Sequence, residues 1–252
     1  MINSFFLYDL IMTNQIRFRT KIKHLYFKFK RYILNLKLNA LTYYKFLKLK
    51  KDKVDDINLN LFYSRSNIKI IEGNSKQSAE QEEYLKKING NFKNILEVGF
   101  NAGHSSELFL ETNSDSCVTS IDIGYWYYCK FGKKFLEKKY PNRLYVIFKD
   151  SIKALENFET INEDITFDFI YIDGNHTYQY AYWDILNSKK FATPSTILAV
   201  DDVVLDDSFR TNSNSEPTKA WADLIKLNEI EEIECAHFKD INRGIALGKF
   251  IF

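Results

Sequence analysis

The stretch NILEVGFNAGHSSELFL, residues 94–110, constrains the fold of this chain more than any other segment. A short, mostly apolar run ends at Val98, glycines follow at Gly99 and Gly103, and a helical pattern of apolar residues comes next. This order predicts a strand, a tight glycine turn and the N-terminus of a helix. The sequence therefore predicts a pocket for a nucleotide-like ligand at the carboxyl edge of a parallel sheet.

Strand and helix patterns alternate from residue 94 onward. The strand candidates are 94–98, 117–121, 144–148, 167–172, 196–200, 230–237 and 244–251. Helical stretches separate the first five, which predicts a parallel sheet with helices on both faces. The last two are joined by only a short turn, so they should form an antiparallel hairpin. The predicted fold class is α/β: a Rossmann-like, doubly wound, mostly parallel seven-stranded sheet with an antiparallel C-terminal hairpin. A further helix is predicted for 76–89, and 51–75 reads as a polar connector.

The charge of the chain is unevenly distributed. Residues 1–53 carry 13 Lys and Arg against two acids, whereas the whole chain has a net charge of only +2. Apolar residues recur there at three- and four-residue steps, which predicts a basic amphipathic helical arm, assigned to residues 1–60. Two interpretations remain open: the arm binds an anionic lipid surface, nucleic acid or a protein partner, or it packs on the following domain with a solvated basic face.

The cysteines and the apolar runs indicate in which cellular compartment the protein is expected to lie. The three cysteines lack C-x-x-C spacing, which favours a reducing environment. No run of 18 apolar residues occurs, and Asp9 interrupts the first apolar stretch, so neither a membrane span nor a signal peptide is expected. The expected location is cytoplasmic.

Acidic residues end successive strand candidates. Asp122 ends the second strand and lies 23 residues beyond Gly99, near the offset expected for an acid on ribose hydroxyls. Asp150 and Ser151 end the third strand and suit an adenine amino group, while aromatic residues 125–126 suit an adenine face. Each acid alone is typical of a helix cap or turn, but their recurrence at neighbouring strand ends favours a binding site.

On these residues, the stretch from about 76 to 252 resembles the class I S-adenosylmethionine-dependent methyltransferases. Within that class it is most similar to the small-molecule O-methyltransferases of the caffeoyl-CoA and catechol type and their sugar-modifying relatives. The resemblance implies a methyltransferase domain at 61–252 and S-adenosyl-L-methionine as cofactor. It also implies that the glycine motif cradles the methionine part, that Asp122 holds the ribose and that Asp150 and Ser151 contact adenine. The cofactor-binding residues expected are Glu97, Gly99, Asn101, Gly103, His104, Ser105, Asp122, Ile123, Asp150, Ser151 and Asp173.

Three further acids indicate a metal site. Asp173 ends the fourth strand, and Asp201 and Asp202 end the fifth. Three unpaired carboxylates at one edge repel each other, which favours a raised pKa or a hard divalent cation. Oxygen-only ligation suits Mg²⁺, Ca²⁺ or Mn²⁺ and not zinc, so these three residues are the expected metal ligands, with Mg²⁺ foremost. The resembled enzymes commonly have Asn where this chain has Asp202.

The expected reaction is metal-assisted methylation of a hydroxyl on a small molecule or sugar. A chelated hydroxyl loses its proton more easily, His176 would take that proton, and Asp173 completes the predicted catalytic pair. Segments 203–215 and 71–80 are the expected substrate wall, and a homodimer is common in the resembled family. Two alternatives remain: a non-catalytic cofactor-binding module that acts through its basic arm, and a nucleic-acid methyltransferase, which the acidic main domain disfavours.

Overall fold

The computed structural model describes residues 54–70, 78–156 and 165–252. Residues 1–53 of the predicted basic arm and most of the predicted wall segment 71–80 lie outside the described residues. The described residues contain the seven predicted strands. They are β1 (Asn94–Val98), β2 (Cys117–Asp122), β3 (Leu144–Phe148), β4 (Phe169–Ile172), β5 (Ile197–Asp201), β6 (Ile230–Phe238) and β7 (Arg243–Phe250). The α-helices are α1 (Leu59–Arg65), α2 (Ala79–Asn89), α3 (His104–Thr112), α4 (Cys129–Lys139), α5 (Ser151–Glu156), α6 (Tyr178–Ser188) and α7 (Ser215–Lys226).

All of these strands join one sheet in the order β3-β2-β1-β4-β5-β7-β6. The pairs among β1 to β5 are parallel, and β7 runs antiparallel to both β5 and β6. The predicted fold class and its C-terminal hairpin are therefore confirmed. The strand order reverses between β1 and β4, and a doubly wound sheet opens a crevice at the carboxyl ends of its strands at such a point.

The strands that flank this crevice are buried on both faces. Every residue of β4 is buried, as are the last four residues of β1. Helices cover each face of a parallel sheet, so its central strands read as continuous apolar runs. β4 begins two residues later than the sequence predicts. The carboxylate of Asp168, just before β4, accepts the N–H groups of Lys93 and Asn94, each at 3.0 Å. That side chain therefore caps the start of β1.

Helix α2 begins beside the C-terminal hairpin. Its N-cap is Ser78, whose Oγ accepts the N–H of Gln81 at 3.1 Å. The same hydroxyl donates to Asp240 in the β6–β7 turn at 3.0 Å. The helix predicted at 76–89 is thus present as α2 from Ala79, and its first turn is held over the crevice.

Helix α1 differs from the polar connector expected for this part of the chain. The ring of Phe62 stacks on Phe135 of α4 with centroids 4.6 Å apart, and the Tyr63 hydroxyl donates to the carbonyl of Ala102 at 2.7 Å. Tertiary packing therefore stabilises a helix of only two turns, which would not persist alone. Among the described residues, no helix combines the length and apolar character that crossing a membrane requires.

Candidate active site

An open cavity of about 820 Å³ lies at the carboxyl edge of the sheet, between the turns that follow β1, β2, β4 and β5. Its size is within the range of small-molecule and cofactor sites. Most of the predicted site residues line it: Gly99, Asn101, His104, Ser105, Asp122, Ile123, Asp150, Ser151, Asp173, His176 and Asp201. Three predicted residues do not line it: Glu97, Gly103 and Asp202. Gln81, Tyr180 and Arg243 also line it, although no sequence pattern predicted them.

The glycine turn holds the end of β1 close to the ends of both neighbouring strands, β2 and β4. Gly99 has φ +109°, and its N–H donates to the carbonyl of Ile121 on β2 at 2.8 Å. Gly103, at φ +89°, is the N-cap of α3, so His104 and Ser105 form the first turn of that helix on the cavity wall. A helix N-terminus has N–H groups without intrahelical partners and favours a negatively charged group. This end of the cavity suits a carboxylate.

Glu97 lies behind the turn and is fully buried. Its two oxygens accept the hydroxyls of Ser105, Ser106 and Ser120, each at 2.5 Å. Burial raises the pKa of Glu97 to about 7, although the three hydroxyls act in the opposite direction. The carboxyl therefore lies behind the cavity wall, and contact between Glu97 and the cofactor stays a prediction. It holds the first turn of α3 in position.

The raised pKa of Glu97 predicts a pH-dependent stability that a Glu97→Gln variant lacks. The folded-state pKa of about 7 exceeds the ordinary 4.5, so the folded state disfavours ionisation. Relative to the variant, the wild-type free energy of unfolding should fall by about 3 kcal/mol as pH rises from below 4.5 to above 7. Urea denaturation at both pH values measures the difference, and the exposed Glu80→Gln is the matched control. If the difference in free energy of unfolding between the wild type and the Glu97→Gln variant does not change with pH, the raised pKa of Glu97 is contradicted.

Asp122 is fixed at the end of β2 by two backbone groups. Its Oδ2 accepts the N–H of Asn101 at 2.8 Å, and its Oδ1 accepts the N–H of Gly124 at 2.6 Å. Ile123 and Tyr125 beside it are exposed, each with 65% of its surface accessible. The carboxylate therefore faces the cavity in a defined orientation, with apolar surface next to it.

Asp150 and Ser151 line the cavity at the end of β3. The Asp150 Oδ2 accepts the hydroxyl of Tyr180 at 2.7 Å, and this hydrogen bond lowers the pKa of Asp150. Tyr180 comes from the start of α6, which follows β4. Its position in the helix after the conspicuous IDGNHTY segment is the only sequence signal that could have found it.

The other end of the cavity holds acids and bases from three neighbouring elements. His176 lies between two carboxylates: its Nδ1 is 2.9 Å from Asp202 Oδ2, and its Nε2 is 3.5 Å from Asp173 Oδ1. Burial alone would lower the pKa of His176, but the hydrogen bonds and charges of these two acids outweigh it and raise the pKa to about 10. This shift favours the charged imidazole at neutral pH, whereas the sequence predicts that His176 acts as a free base.

Arg243 and Gln81 contact the same acids from elements far away in sequence. Arg243 Nη1 is 3.7 Å from Asp201 Oδ2, and its Nε is 3.5 Å from Asp202 Oδ1. Gln81 Nε2 donates to Asp201 Oδ1 at 3.1 Å. Because β7 pairs with β5 and α2 is tied to the hairpin turn, both side chains reach the end of β5. No local pattern in the sequence signals either contact.

The arrangement of these acids tests the predicted metal site. Carboxylate oxygens are the donors that Mg²⁺ prefers. However, the described residues contain no group of three or more His, Cys, Asp or Glu side chains arranged to hold a metal ion. Burial, followed by the charges of Asp173 and Asp202, raises the pKa of Asp201 well above its ordinary value. N–H groups of the chain face the oxygens of Asp201 and Asp202, so the residues as they lie do not fit a divalent cation.

Comparisons with known proteins agree with this fold and cavity. Residues 96–203 match the family model described as a methyltransferase domain. An O-methyltransferase from Bacillus cereus, solved in complex with SAH, superposes with a TM-score of 0.59 at 17% identity, over 84% of this chain and 97% of that one. The O-methyltransferase TomG from Streptomyces achromogenes, involved in tomaymycin synthesis and solved with SAM, gives 0.56 at 16% identity, over 85% and 96%. No curated protein matches the chain by sequence.

The family match begins in β1 and ends just after β5, so it contains the glycine turn and the acids at the ends of β2 to β5. The solved relatives extend the likeness of fold beyond the family match, since they cover 84% and 85% of this chain. Residues 96–203 are therefore similar in sequence to a methyltransferase domain, and the sheet that contains them has the same fold as the solved O-methyltransferases.

Proposed function

We propose that this chain transfers a methyl group from S-adenosylmethionine to a hydroxyl oxygen of a small molecule or sugar. The observation that carries the proposal is a single cavity with two chemically different ends. One end has Asp122, Asp150 and a helix N-terminus, and the other has Asp173 and His176. The solved relatives support the donor and the oxygen acceptor, since they are O-methyltransferases with SAH or SAM bound.

The first end suits each part of the donor. Asp122 would accept hydrogen bonds from the ribose hydroxyls, and Asp150, oriented by Tyr180, would accept one from the adenine amino group. The N-terminus of α3 would hold the methionine carboxylate. When bound, S-adenosylmethionine supplies a methyl group on a positively charged sulfur. Holding that group against an acceptor oxygen gives much of the expected rate.

The second end suits removal of the acceptor proton. As the new carbon–oxygen bond forms and the sulfur–carbon bond breaks, the hydroxyl loses its proton and the sulfur takes the electron pair. His176 is already protonated at neutral pH, so we assign proton acceptance to the partly exposed Asp173. The charged imidazole would stabilise the negative charge that develops on the oxygen. No step of this reaction depends on a metal ion.

The donor end can be tested without knowing the acceptor. Isothermal titration calorimetry with S-adenosylhomocysteine should give saturable binding to the wild-type chain. An Asp122→Ala variant should bind on the order of 10²-fold more weakly, because it loses charge-assisted hydrogen bonds worth about 1.5–3 kcal/mol each. Asp115→Ala, which removes an exposed acid from the loop before β2, should bind as the wild type does. An absence of heat with the wild-type chain would overturn the proposal.

Several expectations from the sequence remain predictions. They are the division into an arm at 1–60 and a domain at 61–252, an anionic or protein partner for the arm, a homodimer and a cytoplasmic location. None of them is needed for the proposed reaction, and each would require its own measurement.

A further inference from the structure

Two of the three acids at the acceptor end are removed from water. Asp201 has 3% of its surface exposed and Asp202 has none, and they are neighbours in the chain. The oxygens of Asp202 have ion-pair contacts with His176 and Arg243. Adjacent buried carboxylates require positive charge close by, because burial penalises each charge and each repels the other. The question is which group supplies that charge.

Arg243 is held in position to supply it. It is the first residue of β7, and the antiparallel pairing of β7 with β5 sets Asp201 opposite Ile245, two residues further along. Next to it, Gly244 lies so close to the neighbouring backbone that a Cβ there would be 2.3 Å from the carbonyl oxygen of Val203. The strand that carries Arg243 is therefore fixed beside the end of β5. This fixes the backbone position from which the Arg243 guanidinium reaches Asp201 and Asp202.

The amide of Gln81 adds to this arrangement. It donates to the Asp201 oxygen that does not face Arg243. Both oxygens of Asp201 are thus turned towards N–H groups of the chain. Each oxygen of Asp202 faces a cationic side chain, Arg243 on one side and His176 on the other. A divalent cation would have to displace these groups and would be repelled by both positive charges.

We propose that Arg243 is the resident cation of this acidic cluster and takes the place of a divalent metal ion. This inference rests on the proposed function only in naming this part of the cavity the acceptor end. It follows that the wild-type chain binds divalent cations weakly at this site. Removal of the guanidinium charge should then turn the cluster into a metal site, since one oxygen of Asp201 and one of Asp202 would become available to a metal ion.

Titration with Mn²⁺ in the presence of S-adenosylhomocysteine tests the proposal. Isothermal titration calorimetry of the full chain with MnCl₂ should give no saturable binding in the micromolar range. An Arg243→Gln variant should bind Mn²⁺ at least about tenfold more tightly, because the positive charge that faces both Asp201 and Asp202 is gone. An Arg243→Lys variant keeps a charge there and should remain as weak as the wild type. Lys249→Gln, which removes a charge six residues further along the same strand, is the matched control.

Two results would overturn the inference. One is micromolar, saturable Mn²⁺ binding by the wild-type chain, which needs no variant to fold. The other is a folded Arg243→Gln variant, checked by thermal unfolding, that binds Mn²⁺ no better than the wild type. The heat of S-adenosylhomocysteine binding is measured in the same preparations, so failure of the donor site is distinguished from failure of the cation assignment.

Discussion

A Gly99→Ala variant should lose more than about 4 kcal/mol of folding free energy, a large part of the roughly 5–15 kcal/mol that stabilises an ordinary domain. A Cβ on this residue would lie 1.9 Å from the carbonyl oxygen of Asp173 and 2.5 Å from its carbonyl carbon. Both are backbone atoms, so no side chain can rotate away. The backbone at φ +109° is also one that residues with a side chain rarely adopt. We therefore expect the variant to be largely unfolded or insoluble.

The matched control is Gly90→Ala. Gly90 follows helix α2 with an ordinary helical φ of −51°, and the nearest atom to its Cβ would be the Lys87 carbonyl oxygen at 3.7 Å. This variant should be neutral or more stable by up to about 1 kcal/mol, because alanine restricts the unfolded chain. Urea denaturation followed by circular dichroism measures both. A Gly99→Ala variant whose free energy of unfolding lies within about 1 kcal/mol of the wild-type value would contradict the close contact between Gly99 and Asp173.

The close contact between the backbones of Gly99 and Asp173 also sets the distance between the two ends of the cavity. The turn after β1 carries the proposed donor site, and Asp173 begins the turn after β4. The Asp173 N–H donates to the carbonyl of Val98 at 2.8 Å, and Gly99 packs against the Asp173 carbonyl. A side chain between them would have to push the turns apart. Because methyl transfer requires the reacting atoms within about 3–3.5 Å, activity should be more sensitive than folding to milder changes here.

The sheet could be predicted because its signals are local. Each strand is a short apolar run, and the segments between the first five strands are long enough for crossover helices. The short Lys239–Asn242 link leaves only an antiparallel hairpin for β6 and β7. Helix α1 was missed because a two-turn helix within a polar segment has little local signal. Its stability comes from contacts such as Phe62 on Phe135, which are formed only in the folded chain.

The site could be predicted in part, for a geometric reason. Parallel strands end at the same edge, so acids that end successive strands converge on one cavity, as Asp122, Asp150 and Asp173 do. The sequence cannot say which of them acquire internal partners. Arg243 reaches the cluster through an antiparallel register, and Gln81 through the docking of α2 on the hairpin turn. Charge balance therefore depends on tertiary contacts that no local pattern encodes.

A His176→Gln variant should lower kcat roughly 10³-fold, while its affinity for S-adenosylhomocysteine stays within about twofold of the wild type. The reason is that His176 lies at the acceptor end, against Asp173 and Asp202, and we assign it to the charge that develops on the acceptor oxygen. Turnover is measured as transfer of a labelled methyl group to a hydroxyl acceptor found by screening catechols and sugars, and donor binding is measured by calorimetry.

The pH profile separates this role from that of a free base. With a pKa of about 10, His176 is charged throughout the neutral range and loses its proton only as pH approaches 10. If the charged form is the active one, kcat falls as pH rises through that value, and this descending limb is absent from the His176→Gln variant. A base with an ordinary pKa near 6.5 would instead give a rate that rises through neutral pH. If kcat rises with pH near 6.5 in the wild type but not in the His176→Gln variant, His176 acts as a base and not as a stabilising positive charge.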